Sequence, residues 1–259
     1  MNVPTMADMM AQGKQPEVLF WVGAAGSYDD RAKKISRAFV KILAHSNVNF
    51  AVLGTEESST GDAAKRAGNE FLFQMQAMMN IEVLNGYEVK KIVTCDPHSF
   101  NTLKNEYSSL GGKYEVFHHT QFIQNLISEG RLKIDDTVLK GKRVTFHDPC
   151  YLGRANDVYE SPRDLIKRLG VNLTEMKRNK SSALCCGAGG AQMFKDAEKG
   201  DKEINVLRTE DALETNPEII ATGCPYCNTM MTDGIKFKEK EAEVVVKDIA
   251  ELIAEANNL

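Results

Sequence analysis

Val18-Leu19-Phe20 returns as Val144-Thr145-Phe146, and Ile92-Val93-Thr94-Cys95-Asp96-Pro97-His98-Ser99 lies opposite Ile220-Ala221-Thr222-Gly223-Cys224-Pro225-Tyr226-Cys227, at an offset that drifts only from 126 to 128 residues. Between these anchors Ser58-Ser59 falls on Cys185-Cys186. Three matched segments in the same order read as an internal duplication, so the chain should fold as one unit made twice. The polar stretch 135–141 reads as the linker between the copies. The expected organisation is a leader over residues 1–16, a first domain over 17–137 and a second over 138–259.

Each copy alternates short apolar runs with amphipathic segments. In the first, residues 17–22, 50–53, 91–94 and 114–119 read as strands. Gly23-Ala24-Ala25-Gly26-Ser27 reads as a tight turn, with Asp29 and Asp30 placed to cap the next helix. Helices are expected over 31–45, where Ile35, Ala38, Phe39, Ile42 and Leu43 keep helical spacing, over roughly 63–79, and over 120–128. Strands alternating with helices specify an α/β fold with small, mainly parallel sheets. We expect two tandem Rossmann-like domains related by a pseudo-twofold, their loop ends facing each other.

The duplication makes the cysteines informative. Five of the six form one array, Cys150, then Cys185-Cys186-Gly187-Ala188-Gly189-Gly190, then Cys224-Pro225-Tyr226-Cys227. At the matched positions the first copy has Ala24, Ser58, Ser59, Asp96 and Ser99. Alanine cannot ligate a metal, serine does so weakly, and only Asp96 remains a hard-metal donor. Cys95 stands one place before a ligand position and is not assigned to metal. Dense thiols serve disulfides, zinc, an iron-sulfur cluster or thiol catalysis. Adjacent cysteines rarely meet disulfide geometry with each other, and a tetrahedral zinc ion would leave one of five idle. A polynuclear cluster can take two side chains from one turn, and bare glycine backbone can approach it closely. Cys224-Pro225-Tyr226-Cys227 by itself also fits thiol-disulfide exchange at a helix N-terminus.

The C…CCG…CPYC pattern resembles the CCG (cysteine-rich) domain family, found twice in one of the subunits of heterodisulfide reductase and also in the iron-sulfur subunits of lactate and glycolate oxidation systems. The resemblance covers nearly the whole chain as two copies, the first degenerate. It implies a 4Fe-4S cluster of the non-cubane type bound by Cys150, Cys185, Cys186, Cys224 and Cys227, with zinc as the alternative occupant in protein purified in air. It also implies an electron-transfer subunit of an oxidoreductase complex, inactive alone, whose partner is a flavoprotein or a ferredoxin-type iron-sulfur subunit. A cluster-free adaptor and a thiol-disulfide oxidoreductase using Cys224 and Cys227 are the competing readings.

Composition narrows the rest. A net charge of −4 gives no electrostatic case for nucleic acid. No apolar run reaches membrane-spanning length, and the leader has no signal-peptide pattern, so a cytoplasmic location is expected, free or peripheral to a membrane complex. His147, Asp148 and Arg154 flank Cys150 and serve either turn capping or hydrogen bonding to cluster sulfurs. Of His118 and His119, one ring is expected packed and the other exposed. His98 reads as a turn residue with a minor chance of facing the interdomain cleft. Met75, Met78, Met79, Met230 and Met231 read as core filler.

Overall fold

The computed structural model describes residues 3–196 and 199–259, so the first two residues of the expected leader lie outside the described residues. The first half runs α1 (Met6–Ala11), β1 (Val18–Trp21), α2 (Gly23–Tyr28), α3 (Ala32–His45), β2 (Phe50–Ala51), α4 (Asp62–Arg66), α5 (Glu70–Gly86), β3 (Lys91–Thr94), α6 (Pro97–Asn101), β4 (Glu115–His118) and α7 (His119–Ser128). The second runs β5 (Arg143–Phe146), α8 (Glu160–Arg168), β6 (Asn172–Leu173), α9 (Ile204–Leu213), β7 (Ile219–Thr222), α10 (Pro225–Phe237), β8 (Val245–Asp248) and α11 (Ile249–Ala256).

The sheets are ordered β2-β1-β3-β4 and β6-β5-β7-β8, and every pairing is parallel. The registers repeat as well: Leu19 lies beside Ile92 in the first sheet, and Thr145 beside Ile220 in the second. The central strand β1 is buried along its whole length because both its faces are covered. Val18 and Phe20 face one way, Leu19 and Trp21 the other. The Val18/Phe20 side joins Ile35, Phe39 and Ile123 to Phe146, Leu165 and Ile253 of the second half in one continuous core. Arg31 spans the same junction, its guanidinium paired with Glu251 at 2.8 Å and bonded to the Val246 carbonyl. The two halves therefore share a core, which holds their loop ends in fixed relation.

Four expectations change. The Gly23 segment is a short helix, entered by Gly23 at φ +78°, rather than a tight turn. The helix expected over 63–79 is broken at Gly68 (φ +87°), and α5 starts afresh with the Asn69 side chain accepting from the Leu72 N–H at 3.0 Å. A residue at that φ leaves helical space, so apolar spacing alone could not carry one helix through it. Met75, Met78 and Met79 are exposed, because Phe73, Ala77, Ile81 and Leu84 already fill the inward face of α5; Met231 is buried and Met230 half-buried. His118 and His119 are both fully buried. His118 Nε2 lies 3.0 Å from the Gly223 carbonyl, and His119 Nε2 lies 3.0 Å from Asp248 without hydrogen-bond geometry, so each ring faces a polar group of the opposite half.

Candidate metal centre

Parallel strands end their loops on one side, and ligand sites in such sheets collect there. Cys150 follows β5, and Cys224 and Cys227 follow β7. Cys224 is the N-cap of α10, its Sγ accepting the Cys227 N–H at 3.5 Å. Cys185 and Cys186 arrive on the long loop after β6. Gly187, at φ +93°, turns that loop so that its own N–H points back at Cys185 Sγ, 3.3 Å away. The Arg154 guanidinium ties the Cys150 segment to this loop through the Ala183 carbonyl at 2.6 Å.

The five sulfurs are contiguous. Cys185, Cys186, Cys224 and Cys227 pack in one cluster, and Cys150 stands close enough to Cys185 for each to shift the other's titration. All are free thiols, with Cys186, Cys224 and Cys227 buried. Cys185 is the one driven toward thiolate, because the neighbouring Cys150 and Cys186 thiols and then the Gly187 N–H favour its anion. Its anion then works with burial to push the Cys150 and Cys186 thiols up, while Cys227 is pushed well up by its neighbours Cys186 and Cys224 and by burial. Five thiolates cannot coexist here unless cations compensate them, which is the donor chemistry of a metal site.

Around the sulfurs stand fixed polar groups. Asp148 pairs with the buried Arg163 at 2.7 and 2.8 Å and also accepts the Lys180 N–H, which clamps the loop of Cys150 to the segment leading to Cys185. Nε2 of His147 is buried without a hydrogen-bond partner among the described residues. The ring offers a nitrogen within 4.8 Å of the sulfurs of Cys186 and Cys227. Burial, then the charge of Arg208, lowers the His147 pKa to about 3, so the ring is neutral. Cys95 sits in the shared core, apart from the five, and burial drives its pKa well up.

The first half shows what replaced its thiols. Asp96 caps α6 as Cys224 caps α10, but its Oδ1 accepts the His98 N–H and its Oδ2 accepts both the Ser99 N–H and the Ser99 hydroxyl. Those bonds use Asp96 as a helix cap, so the reading of it as a hard-metal donor is not supported. Ala24, Ser58, Ser59, Asp96 and Ser99 instead line one wall of a cleft whose other wall is Gly189, Gly190 and Tyr226. The cleft admits the centre of a water-sized sphere over only about 60 Å³. It is far smaller than a nucleotide needs.

His98 faces this cleft rather than an outer turn. Its ring stacks on Tyr151 at 4.3 Å, meets Tyr226 edge-on at 5.6 Å, and Nδ1 lies 2.9 Å from Asp62, which also accepts from Arg66. Burial works against the imidazolium, but the hydrogen bond to Asp62 and the negative groups Asp96, Cys224 and Asp62 outweigh it and raise the pKa to about 9. A histidine whose folded pKa lies above its unfolded value stabilises the fold fully below about pH 6.5, and that contribution is lost as pH rises through about 9. Metal-free protein should therefore lose about 2 kcal/mol between pH 7 and 9.5 from this group. Urea titrations at the two pH values check it, and Asp62→Asn should remove most of the difference.

Sequence reasoning missed Asp62, Arg163 and Arg208. Arg208 had one visible trace: Asn205, Arg208, Thr209 and Asp211 put polar residues along the buried side of α9.

A family model described as a cysteine-rich domain, CCG, matches residues 18–104 and again 144–232. The chain is 48% identical to "Probable iron-sulfur-binding oxidoreductase FadF" of Bacillus subtilis over 98% of this chain and 36% of that protein. It is 43% identical to the EtfAB:quinone oxidoreductase of Syntrophomonas wolfei, over 98% of this chain and 36% of that protein. With one subunit of the dihydromethanophenazine:CoB--CoM heterodisulfide reductase of Methanosarcina barkeri the identity is 33%, over 94% of this chain and 59% of that subunit. The chain thus spans little more than a third of the first two relatives. Two matched copies, one with its five thiols gathered at the strand ends and one with those positions rebuilt, make this chain a member of the CCG cysteine-rich domain family.

Proposed function

We propose that the second half binds one 4Fe-4S cluster of the non-cubane type through Cys150, Cys185, Cys186, Cys224 and Cys227, and that the chain passes electrons within a larger oxidoreductase. The observation that carries this is the gathering of five thiols at the strand ends, four of them in one packed cluster and Cys150 coupled to Cys185, beside a His147 nitrogen without a partner among the described residues. Five thiol donors exceed what a zinc ion takes, and a polynuclear cluster uses all of them. The cluster would supply one-electron chemistry; the chain supplies the ligands, the buried setting and the fixed dipoles that set its potential.

The first half, which we take as residues 17–137, acts as a scaffold. Its His118 holds the loop of Cys224 through the Gly223 carbonyl, and its His98 covers the cleft side of the site. The names of the relatives support the class, iron-sulfur oxidoreductase, and a place within a larger complex; the partner we propose is a flavoprotein or a ferredoxin-type iron-sulfur segment. No helix of the described residues is long and apolar enough to cross a membrane. The location we propose is the cytoplasm, free or on the face of a membrane complex.

Anaerobic reconstitution with iron and sulfide, followed by dithionite reduction under EPR, tests the electron-transfer reading. A paramagnetic signal that appears or disappears reversibly on one-electron titration is expected. A reconstituted protein that takes no electron contradicts it.

A further inference from the structure

His147 ends β5's approach to the thiol group with both faces of its ring buried, and its two nitrogens meet different chemistry. Nδ1 lies 3.0 Å from Nε of Arg208. A guanidinium N–H can only donate, so Nδ1 must present its lone pair. In a neutral imidazole the hydrogen then sits on Nε2, which is buried without a hydrogen-bond partner among the described residues, in a ring that brings a nitrogen within 4.8 Å of the sulfurs of Cys186 and Cys227. Arg208 is not free to swing away. It is fully buried, and its Nη1 donates to the Arg178 carbonyl at 2.7 Å and to Asp211 at 3.3 Å.

A histidine, two cysteines and their close spacing would ordinarily suggest a metal site with one nitrogen ligand. Coordination through Nε2 needs a lone pair there, which moves the hydrogen to Nδ1 and sets it against the Arg208 N–H. We infer that His147 is a fixed hydrogen-bond donor to the sulfur centre and not a metal ligand, with Arg208 as the positioning residue that selects its tautomer. Its effect on a bound cluster rests on the iron-sulfur reading above; the tautomer does not. N–H donors to cluster sulfur favour the reduced, more negative form, so they raise the reduction potential.

The first arm of the test needs no metal. Nitrogen-15 NMR of the reduced, metal-free protein resolves the imidazole nitrogens of its five histidines, with His147 identified by the signal missing from His147→Gln. The expected pattern is a protonated Nε2 and an unprotonated Nδ1; the reverse overturns the proposal. In the second arm, X-ray absorption of zinc-loaded protein should show sulfur alone from the protein, and a histidine nitrogen at about 2.0 Å overturns it. In the third, with the cluster assembled, His147→Phe should shift the potential negative and His147→Gln, which keeps an amide N–H, should recover part of the shift. An unchanged potential in His147→Phe removes the donor role. Should no cluster assemble at all, the iron-sulfur reading fails, while the NMR result still decides the tautomer.

Discussion

Replacing Cys185 and Cys186 together with alanine is expected to reduce iron uptake on anaerobic reconstitution to less than about a tenth of the wild-type amount, because two thiolate ligands of a cluster are lost at once. The effect should be this large because these two sulfurs occupy the middle of the array. Cys185 is coupled to both Cys150 and Cys186, and the Cys186 sulfur lies within 4.8 Å of that of Cys227, so their removal leaves Cys150 separated from the Cys224/Cys227 pair. The fold should survive, since Cys185 is only half-buried and its loop packs outside both sheet cores. Far-ultraviolet circular dichroism and a melting curve separate lost ligation from lost folding. Cys95→Ala is the matched control: it removes a buried thiol from the shared core, distant from the array, and should leave iron uptake unchanged.

Arg163→Met is expected to destabilise the protein by about 3–5 kcal/mol, the range for breaking a buried ion pair from one side. Arg163 and Asp148 are 2% and 3% exposed, so water cannot solvate the carboxylate left behind. The guanidinium also serves Glu175 at 2.7 and 2.9 Å and the Tyr159 carbonyl at 3.0 Å, which would lose their donor together. Adding Asp148→Asn should recover part of the loss by removing the stranded charge. Urea unfolding of the two variants measures both quantities, and a loss below about 1 kcal/mol for Arg163→Met would show that the pair is not structurally important. Because Asp148 lies two residues before Cys150 and also holds Lys180, the single variant should bind iron more weakly as well.

How far the sequence carried this picture depended on the range of the interaction. Strands such as β3 and β7 were legible because a run like Ile92-Val93-Thr94 states its own burial, and the duplication reported that both copies use it alike. The equivalence of Asp96 and Cys224 was legible for the same reason, and both turn out to cap the helix after the third strand of their sheet. What Asp96 does was not legible, since whether a carboxylate faces a metal or its own helix depends on side-chain direction. The break at Gly68 was hidden by apolar spacing that runs on either side of it. The burial of both His118 and His119 was hidden because their partners, Gly223 and Asp248, lie on the other half of the chain. The clearest omission was Arg208. Nothing near it in sequence indicates that it approaches His147, yet that contact decides which ring nitrogen carries the hydrogen.

The core claim is that one polynuclear centre draws all five thiolates together while the rebuilt first half binds none. Iron and acid-labile sulfide, counted per chain in anaerobically reconstituted wild-type protein, test it most directly. About four of each per chain, with the thiols of Cys150, Cys185, Cys186, Cys224 and Cys227 protected from alkylation and no second equivalent of cluster, is the expected result. A single zinc ion without sulfide, or about eight iron atoms per chain, would contradict it.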